Sequence, residues 1–333
     1  MTAIADQYDV VVVGGSAAGL SAALTLGRSR RSVLVVDAGE PRNARAAGVH
    51  NYLGQEGTSP AELAEIGRAE VRQYGGLTTD GRVVAAWLVD PATAGTHDGI
   101  AFRVDLEDGR SVVARRLVVA SGAVDVLPDV PGLAEFWGTG VVHCPYCHGW
   151  EVRDRAIGVL LTSAMQVHQV HMFRQLSEDV TVFVTDPALV DEEARVRMRA
   201  RGIQVIDGPV VSVIGCGSGP ERRLAGVQLG DGSVVAVEAL AATSSVEAQV
   251  DFLAGLGLHA EDQVVNGMRF GSVLAVGPTG ATTVPGVYAA GNVTNAATIV
   301  VAASAAGAWV GAAVNGDLVL ADVETALAGT LAG

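Results

Sequence analysis

The spacing of apolar and polar positions changes several times along the chain, and each change predicts an element. Tyr8-Asp-Val-Val-Val-Val13 is nearly continuous in apolar residues, as in a strand buried on both faces. The small residues Gly14-Gly-Ser-Ala-Ala-Gly19 predict a tight turn, and Leu20-Ser-Ala-Ala-Leu-Thr-Leu26 a helix. Ser32 to Val36 predicts a second strand, closed by Asp37. Phe102-Arg-Val-Asp-Leu-Glu and Ser111-Val-Val alternate around Asp108-Gly109, and Val227-Gln-Leu and Val234-Val-Ala-Val around Asp231-Gly232. Both patterns predict hairpins. An apolar segment follows each, Leu117 to Ala120 and Ala239 to Ala242. Ala156-Ile-Gly-Val-Leu-Leu161 and Val180 to Val184 predict two more buried strands. Thr283-Val-Pro-Gly-Val-Tyr-Ala-Ala-Gly-Asn-Val293 predicts a strand and turn leading into a small-residue helix near Thr298. Strands alternating with helices, and a similar hairpin in two places, predict two related α/β units with one inserted in the other.

Composition and charge narrow the classes. A chain of 333 residues fits two domains or one large α/β domain. Hydrophobic residues at 49% against 17% charged exclude a disordered chain, and 3 cysteines exclude a disulfide scaffold. A formal net charge of −14 with no basic block argues against a nucleic-acid partner. An acidic chain also gains nothing at an anionic membrane surface. Asp6 and Asp9, with no Lys or Arg, precede the first apolar run, which is unlike a secretory leader. No stretch reaches the roughly 18 uncharged apolar residues of a membrane span, and Ala296 to Val314 reads as a buried helix. The expected location is cytoplasmic.

Two motifs carry chemistry. The first is the turn Gly14 to Gly19, with Asp37 placed 23 positions after Gly14. In such a pattern the backbone N–H groups at the helix start hold a pyrophosphate, and the acid accepts from a ribose hydroxyl. Ser16 replaces the second glycine of the usual G-x-G-x-x-G and is small enough for a close approach. The second motif is His143-Cys144-Pro-Tyr-Cys147-His148-Gly-Trp-Glu151. Two Cys at this spacing can close a disulfide ring, the thiolate of lower pKa attacks first, and His148 can shuttle a proton near neutral pH. The same residues also permit a zinc site of His143, Cys144, Cys147 and His148, a covalent haem attachment, or two inert buried thiols. Cys216 reads as an ordinary small residue in a Gly/Ser-rich turn.

A second nucleotide turn is expected after the Cys pair and is missing. Leu161-Thr-Ser-Ala-Met165 has no glycine, and bulky side chains stand where backbone must approach a pyrophosphate. Arg195, Arg197, Arg199 and Arg201 offer charge for a 2′-phosphate, but Asp191, Glu192 and Glu193 interleave as on a solvated helix face. The second unit therefore reads as a nucleotide-type fold that has lost its nucleotide site.

Taken in order, these segments resemble the low-molecular-weight thioredoxin reductase family over nearly the whole chain. The string Cys-Pro-Tyr-Cys-His-Gly-Trp-Glu looks like that of the thioredoxin reductase-like dithiol oxidases of natural-product biosynthesis, of holomycin and gliotoxin type. His148 stands where thioredoxin reductases carry an Asp. The resemblance implies two Rossmann-like three-layer domains: an FAD domain at 1–124 and 245–333, and an inserted CxxC domain at 125–244. It implies that Cys147 faces the flavin, Cys144 exchanges with substrate and His148 is the acid/base. Gly14, Gly15, Ser16, Ala17, Ala18, Gly19 and Asp37 would hold the FAD diphosphate and adenosine ribose. Asn51, in His-Asn-Tyr-Leu-Gly, would contact the flavin. Ala120, Ser121, Gly122, Gly291 and Asn292 would line the rest, with Thr298, Ile299 and Val300 at a helix start. Asn292 replaces the usual Asp and Ile299 a common Gln. A homodimer, no metal, and a part in antibiotic biosynthesis and self-resistance are implied in the same way.

A reductase passes hydride from NADPH to flavin to disulfide, and without a pyridine nucleotide site that flow has no source. The reverse flow needs none. The expected function is an FAD-dependent dithiol oxidase that closes an intramolecular disulfide in a small molecule. Electrons would pass from substrate dithiol to Cys144–Cys147, to FAD, and to O2, giving H2O2. The alternative is a disulfide reductase supplied by NADPH or ferredoxin; a flavin-binding redox sensor without turnover is a third. Tyr146 and Trp150 flank the Cys pair, either to stack on a flat substrate or to pack.

Overall fold

The computed structural model describes residues 4–92, 94 and 99–331. The chain divides into two compact α/β units: Met1–Ala44, Thr58–Asp125 and Ser245–Gly333 form one, Arg45–Gly57 and Val126–Ser244 the other.

In the first unit the valine-rich strand Gln7–Val13 lies between two parallel neighbours, Val33–Asp37 and Ser111–Val119. Val287–Ala289 joins Ser111–Val119, also in parallel, so Val13, Asp37, Val119 and Ala289 end at one edge. The hairpin predicted at Asp108-Gly109 is present, with Phe102–Leu106 antiparallel to Ser111–Val119. Val10 to Val12 and Leu34 to Val36 are buried, as parallel strands covered on both faces must be.

One cover is the first helix, Ala17–Arg28, packed on the C-terminal helix, Val300–Leu331. The contact is backbone to backbone: a Cβ on Gly307 would lie 2.0 Å from the Ala18 carbonyl oxygen, and one on Gly311 2.7 Å from that of Ala22. Small residues are therefore required where these helices cross. Among the described residues no helix is long and apolar enough to cross a membrane.

A charge cluster fastens the same helix to the sheet. Arg116 is 2% exposed, and its guanidinium donates to both oxygens of Asp317, at 2.7 and 3.1 Å. Tyr288 donates its hydroxyl to the same carboxylate at 3.0 Å. Burial works to raise the Asp317 carboxyl, but the hydrogen bonds and charge of Arg116 and the Tyr288 hydroxyl outweigh it and hold the group below its ordinary value. Burial and the Asp317 charge push the Tyr288 hydroxyl up to about 12.

In the second unit Ile157–Leu161 is the central strand, parallel to Val180–Val184 and to Ala239–Ala241. Gln204–Asp207 and Val141–Val142 complete this sheet. The hairpin at Asp231-Gly232 pairs Arg223–Leu229 with Val234–Ala236. The stretch Arg45–Gly57, expected in the first unit, packs in the second instead. Its polar groups find their partners there: Arg45 donates to the Ala134 carbonyl at 3.1 Å, and Asn51 to that of Tyr146 at 2.7 Å.

Replacing Arg116 with Met leaves Asp317 and Tyr288 without their cation and should cost the first unit on the order of 3 kcal/mol, read by urea unfolding. An unchanged midpoint would show that the ion pair contributes nothing net.

Candidate active site

The turn after the first strand is shaped by exclusion of side chains. Gly14 has φ +106°, and a Cβ there would lie 2.2 Å from the Ala120 carbonyl oxygen. A Cβ on Gly15 would lie 2.6 Å from the carboxyl carbon of Asp37, and one on Gly19 1.9 Å from the Gly14 oxygen. The chain can thus pass close to the helix start only with glycine at these positions. Ser16 takes the N-cap position but makes no side-chain capping bond, and no acid sits in the first helical turn. The first N–H groups of the helix are left open to a ligand anion.

The other candidates of this unit meet at the same edge. Ala120 lies against Gly14, and Gly291, with φ +88°, lies against Ala18. Ser121 donates its hydroxyl to the Gln249 carbonyl at 2.6 Å, and Gly122 has φ +73°. Asp37 accepts from the Gly39 N–H at 3.2 Å and lies 3.5 Å from Arg68. The Asn292 amide nitrogen donates to the carbonyls of Ala296 and Thr298, at 3.3 and 3.0 Å, so it holds its own loop. The C-terminal helix begins at Val300, leaving Thr298 and Ile299 just ahead of it. Arg42, not foreseen from the sequence, pairs with Asp125 through two bonds of 2.8 and 2.7 Å and donates to the Ala296 carbonyl at 3.3 Å. An open helix start, a glycine cradle and an acid at the neighbouring strand end fit a dinucleotide such as FAD. Asn51 belongs to the second unit.

In the second unit Cys144 is the N-cap of a single helical turn, Pro145–His148. The turn brings Cys147 Sγ within 3.0 Å of Cys144 Sγ. Among the described residues no three His, Cys, Asp or Glu side chains gather as a metal would require. The ring nitrogens of His148 are buried and make no hydrogen bond among the described residues. Burial lowers the proton affinity of His148, His50 lowers it further, and Glu151 opposes both. The net effect favours the neutral imidazole, the form that can accept a proton. Tyr146 and Trp150 are 72% and 66% exposed, and Arg153 stacks on the Trp150 ring at 4.0 Å. Gln169, on the next helix, donates to the His143 carbonyl.

The turn from Leu161 to Met165 is occupied by a side chain of the protein itself. Gln166 is buried, and its Oε1 accepts from the N–H groups of Thr162 and Ser163 at 2.7 and 2.9 Å. Its Nε2 donates to the Leu160 carbonyl at 2.8 Å. The donors that would greet a pyrophosphate are consumed internally. The nearby arginines are spent too: Arg195 pairs with Asp207 at 2.6 Å, Arg197 with Glu193 and Arg199 with Glu192.

Residues 8–307 match the pyridine nucleotide-disulphide oxidoreductases. The chain belongs to that family. Thioredoxin reductase sirT of Leptosphaeria maculans is 32% identical over 327 residues, covering 95% of this chain and 96% of that protein. The crystal structure of HlmI matches with a TM-score of 0.84 and 37% identity, over 97% of this chain and 96% of that one. The thioredoxin reductase of Streptococcus pyogenes MGAS5005 shares the fold, with a TM-score of 0.76 at 22% identity over 94% of this chain and 98% of its own. The protein is thus a thioredoxin reductase-like flavoprotein oxidoreductase, an enzyme of a kind whose members bind FAD.

Within the family frame, Gln166 is the residue that sequence patterning did not single out. A polar side chain opening a helix that lacks a glycine turn was the available signal. Gln166→Ala strands the Thr162 and Ser163 donors and the Leu160 acceptor, and should cost the second unit roughly 2–3 kcal/mol in thermal or urea unfolding. No loss of stability would mean that water replaces the amide without penalty.

Proposed function

We propose that this oxidoreductase is an FAD-dependent dithiol oxidase that closes an intramolecular disulfide in a small molecule. The observation that carries the proposal is the Gln166 side chain filling the second nucleotide turn. A pyridine nucleotide would have to displace the two hydrogen bonds that Gln166 makes to those amides, and so the electrons are drawn from the dithiol substrate.

Gly14, Gly15, Ser16, Ala17, Ala18 and Gly19 would hold the FAD diphosphate, with Asp37 on the adenosine ribose. Ala120, Ser121, Gly122, Gly291, Asn292 and Thr298 to Val300 would line the remainder. When bound, the flavin supplies a two-electron acceptor that O2 reoxidises with release of H2O2.

The protein's own part is thiol–disulfide exchange. A substrate thiolate attacks Cys144 Sγ of the Cys144–Cys147 disulfide, forming a mixed disulfide as the bond breaks and the electron pair goes to Cys147 Sγ. His148, neutral and sheltered, takes the proton of the second substrate thiol. That sulfur attacks its neighbour in the mixed disulfide, expels Cys144 Sγ and leaves as the cyclic disulfide. The exposed rings of Tyr146 and Trp150 offer a flat substrate a stacking surface. A second copy of the chain would cover the exposed Leu320, Val323 and Leu327 of the C-terminal helix in a homodimer.

Anaerobic titration tests the electron source. A small dithiol should bleach the flavin absorbance stoichiometrically and NADPH should not, while air without nucleotide should restore the colour and yield H2O2. Cys144→Ser should abolish dithiol oxidation. Rapid bleaching by NADPH would overturn the proposal in favour of a reductase.

A further inference from the structure

The segment Val49–Gly57 is a braced loop that carries a second histidine to the dithiol turn. Gly57 donates its N–H to the Val49 carbonyl at 2.8 Å and closes the loop. Asn51, at φ +59°, donates its backbone N–H to Glu56 Oε2 at 2.8 Å and its side chain to the Tyr146 carbonyl, in the middle of the Cys pair, at 2.7 Å. His50 is gripped from both sides: Nδ1 lies 2.7 Å from Glu56 Oε1, and Nε2 3.4 Å from Glu151 Oε1. The His50 side chain is only 20% exposed, against 63% for Glu56 and 38% for Glu151. An ordered, mostly covered imidazole bridging two carboxylates is more than a chance surface pair, since free side chains lose entropy when held in one geometry.

Glu151 lies three residues beyond His148 in the chain. His148 has no hydrogen-bond partner among the described residues, so no hydrogen bond offsets the charge it gains on taking a thiol proton. We propose that His50 is a positioning residue: by fixing Glu151 beside the dithiol turn, it gives His148 the counter-charge it needs while it carries that proton. The proposal rests on the exchange role of Cys144 and Cys147, and not on where the electrons go afterwards.

The charged groups acting on His148 are Glu151, which favours its protonated form, and His50, which opposes it. Glu56 stands behind His50. The helix Gln166–Leu176 packs on the turn and carries His168 and His171, and the charges acting on His171 are those of Arg201, His168 and Arg197. Two opposite effects of His50 can therefore be told apart. As a charge it disfavours the His148 imidazolium; as a holder of Glu151 it favours it, and the proposal is that the second effect wins.

The test is the pH profile of iodoacetamide alkylation at Cys144 and Cys147 in the anaerobically reduced flavoprotein, followed by mass spectrometry. Glu151→Gln and His50→Ala should both slow alkylation at pH 7, by roughly two- to fivefold, and shift the midpoint upward. The double variant should go no further than Glu151→Gln alone, because His50 acts through Glu151. His50→Gln, which keeps a donor amide, should recover most of the wild-type rate. An unchanged or lowered midpoint in His50→Ala, or full additivity in the double variant, would overturn the proposal. Thermal unfolding of each variant identifies any that fail to fold, and His50→Gln then decides alone: a rate near wild type supports the proposal and a downward midpoint sinks it. Oxygen uptake without nucleotide, measured on the wild type in parallel, tests the oxidase function separately.

Discussion

A buried strand that runs into a helix leaves several backbone N–H groups without intrahelical acceptors, and each must find one or face water. The two units of this protein meet that constraint in opposite ways. In the first, glycines keep side chains away from the helix start, and Ser16 does not cap it, so the donors stay open to an anion. In the second, Gln166 folds back and supplies both the acceptor for two donors and a donor for the Leu160 carbonyl. One amide side chain thus converts a ligand site into a structural joint. The direction proposed for electron flow depends on that difference.

The dithiol turn shows a complementary arrangement. Cys144 and Cys147 face each other across one helical turn, and the ring nitrogens of the next residue, His148, are buried and make no hydrogen bond among the described residues. An unpaired buried imidazole is normally costly, and such groups gather where chemistry needs them. Elements from other parts of the second unit hold the turn in place: Asn51 on the Tyr146 carbonyl, Gln169 on the His143 carbonyl, and His50 beside Glu151. Rigid support of this kind keeps a small exchange site in working geometry.

Much of the architecture is legible in local patterning, since periodicity and turn chemistry act over a few residues. Both hairpins form about their Asp-Gly pairs, and Val10 to Val13 and Ile157 to Leu161 are buried parallel strands. The missing glycines after Leu161 are also visible in the chain. The filling of that turn by Gln166 is not, because a side chain reaching back four residues leaves no periodic trace. The same holds for Arg116 with Asp317, partners 201 positions apart. The placement of Arg45–Gly57 in the second unit is equally hidden, being decided by bonds from Arg45, His50 and Asn51 to residues far along the chain.

By itself the sequence determined the spacing of the Cys pair, the glycine cradle and the acid that follows it, because each depends on steric room or reach within a short segment. Tertiary structure alone decided which charges act on His148, and which backbone donors remain free. Those outcomes depend on where distant side chains come to rest, and burial then strengthens whichever contacts result by removing the water that competes for them.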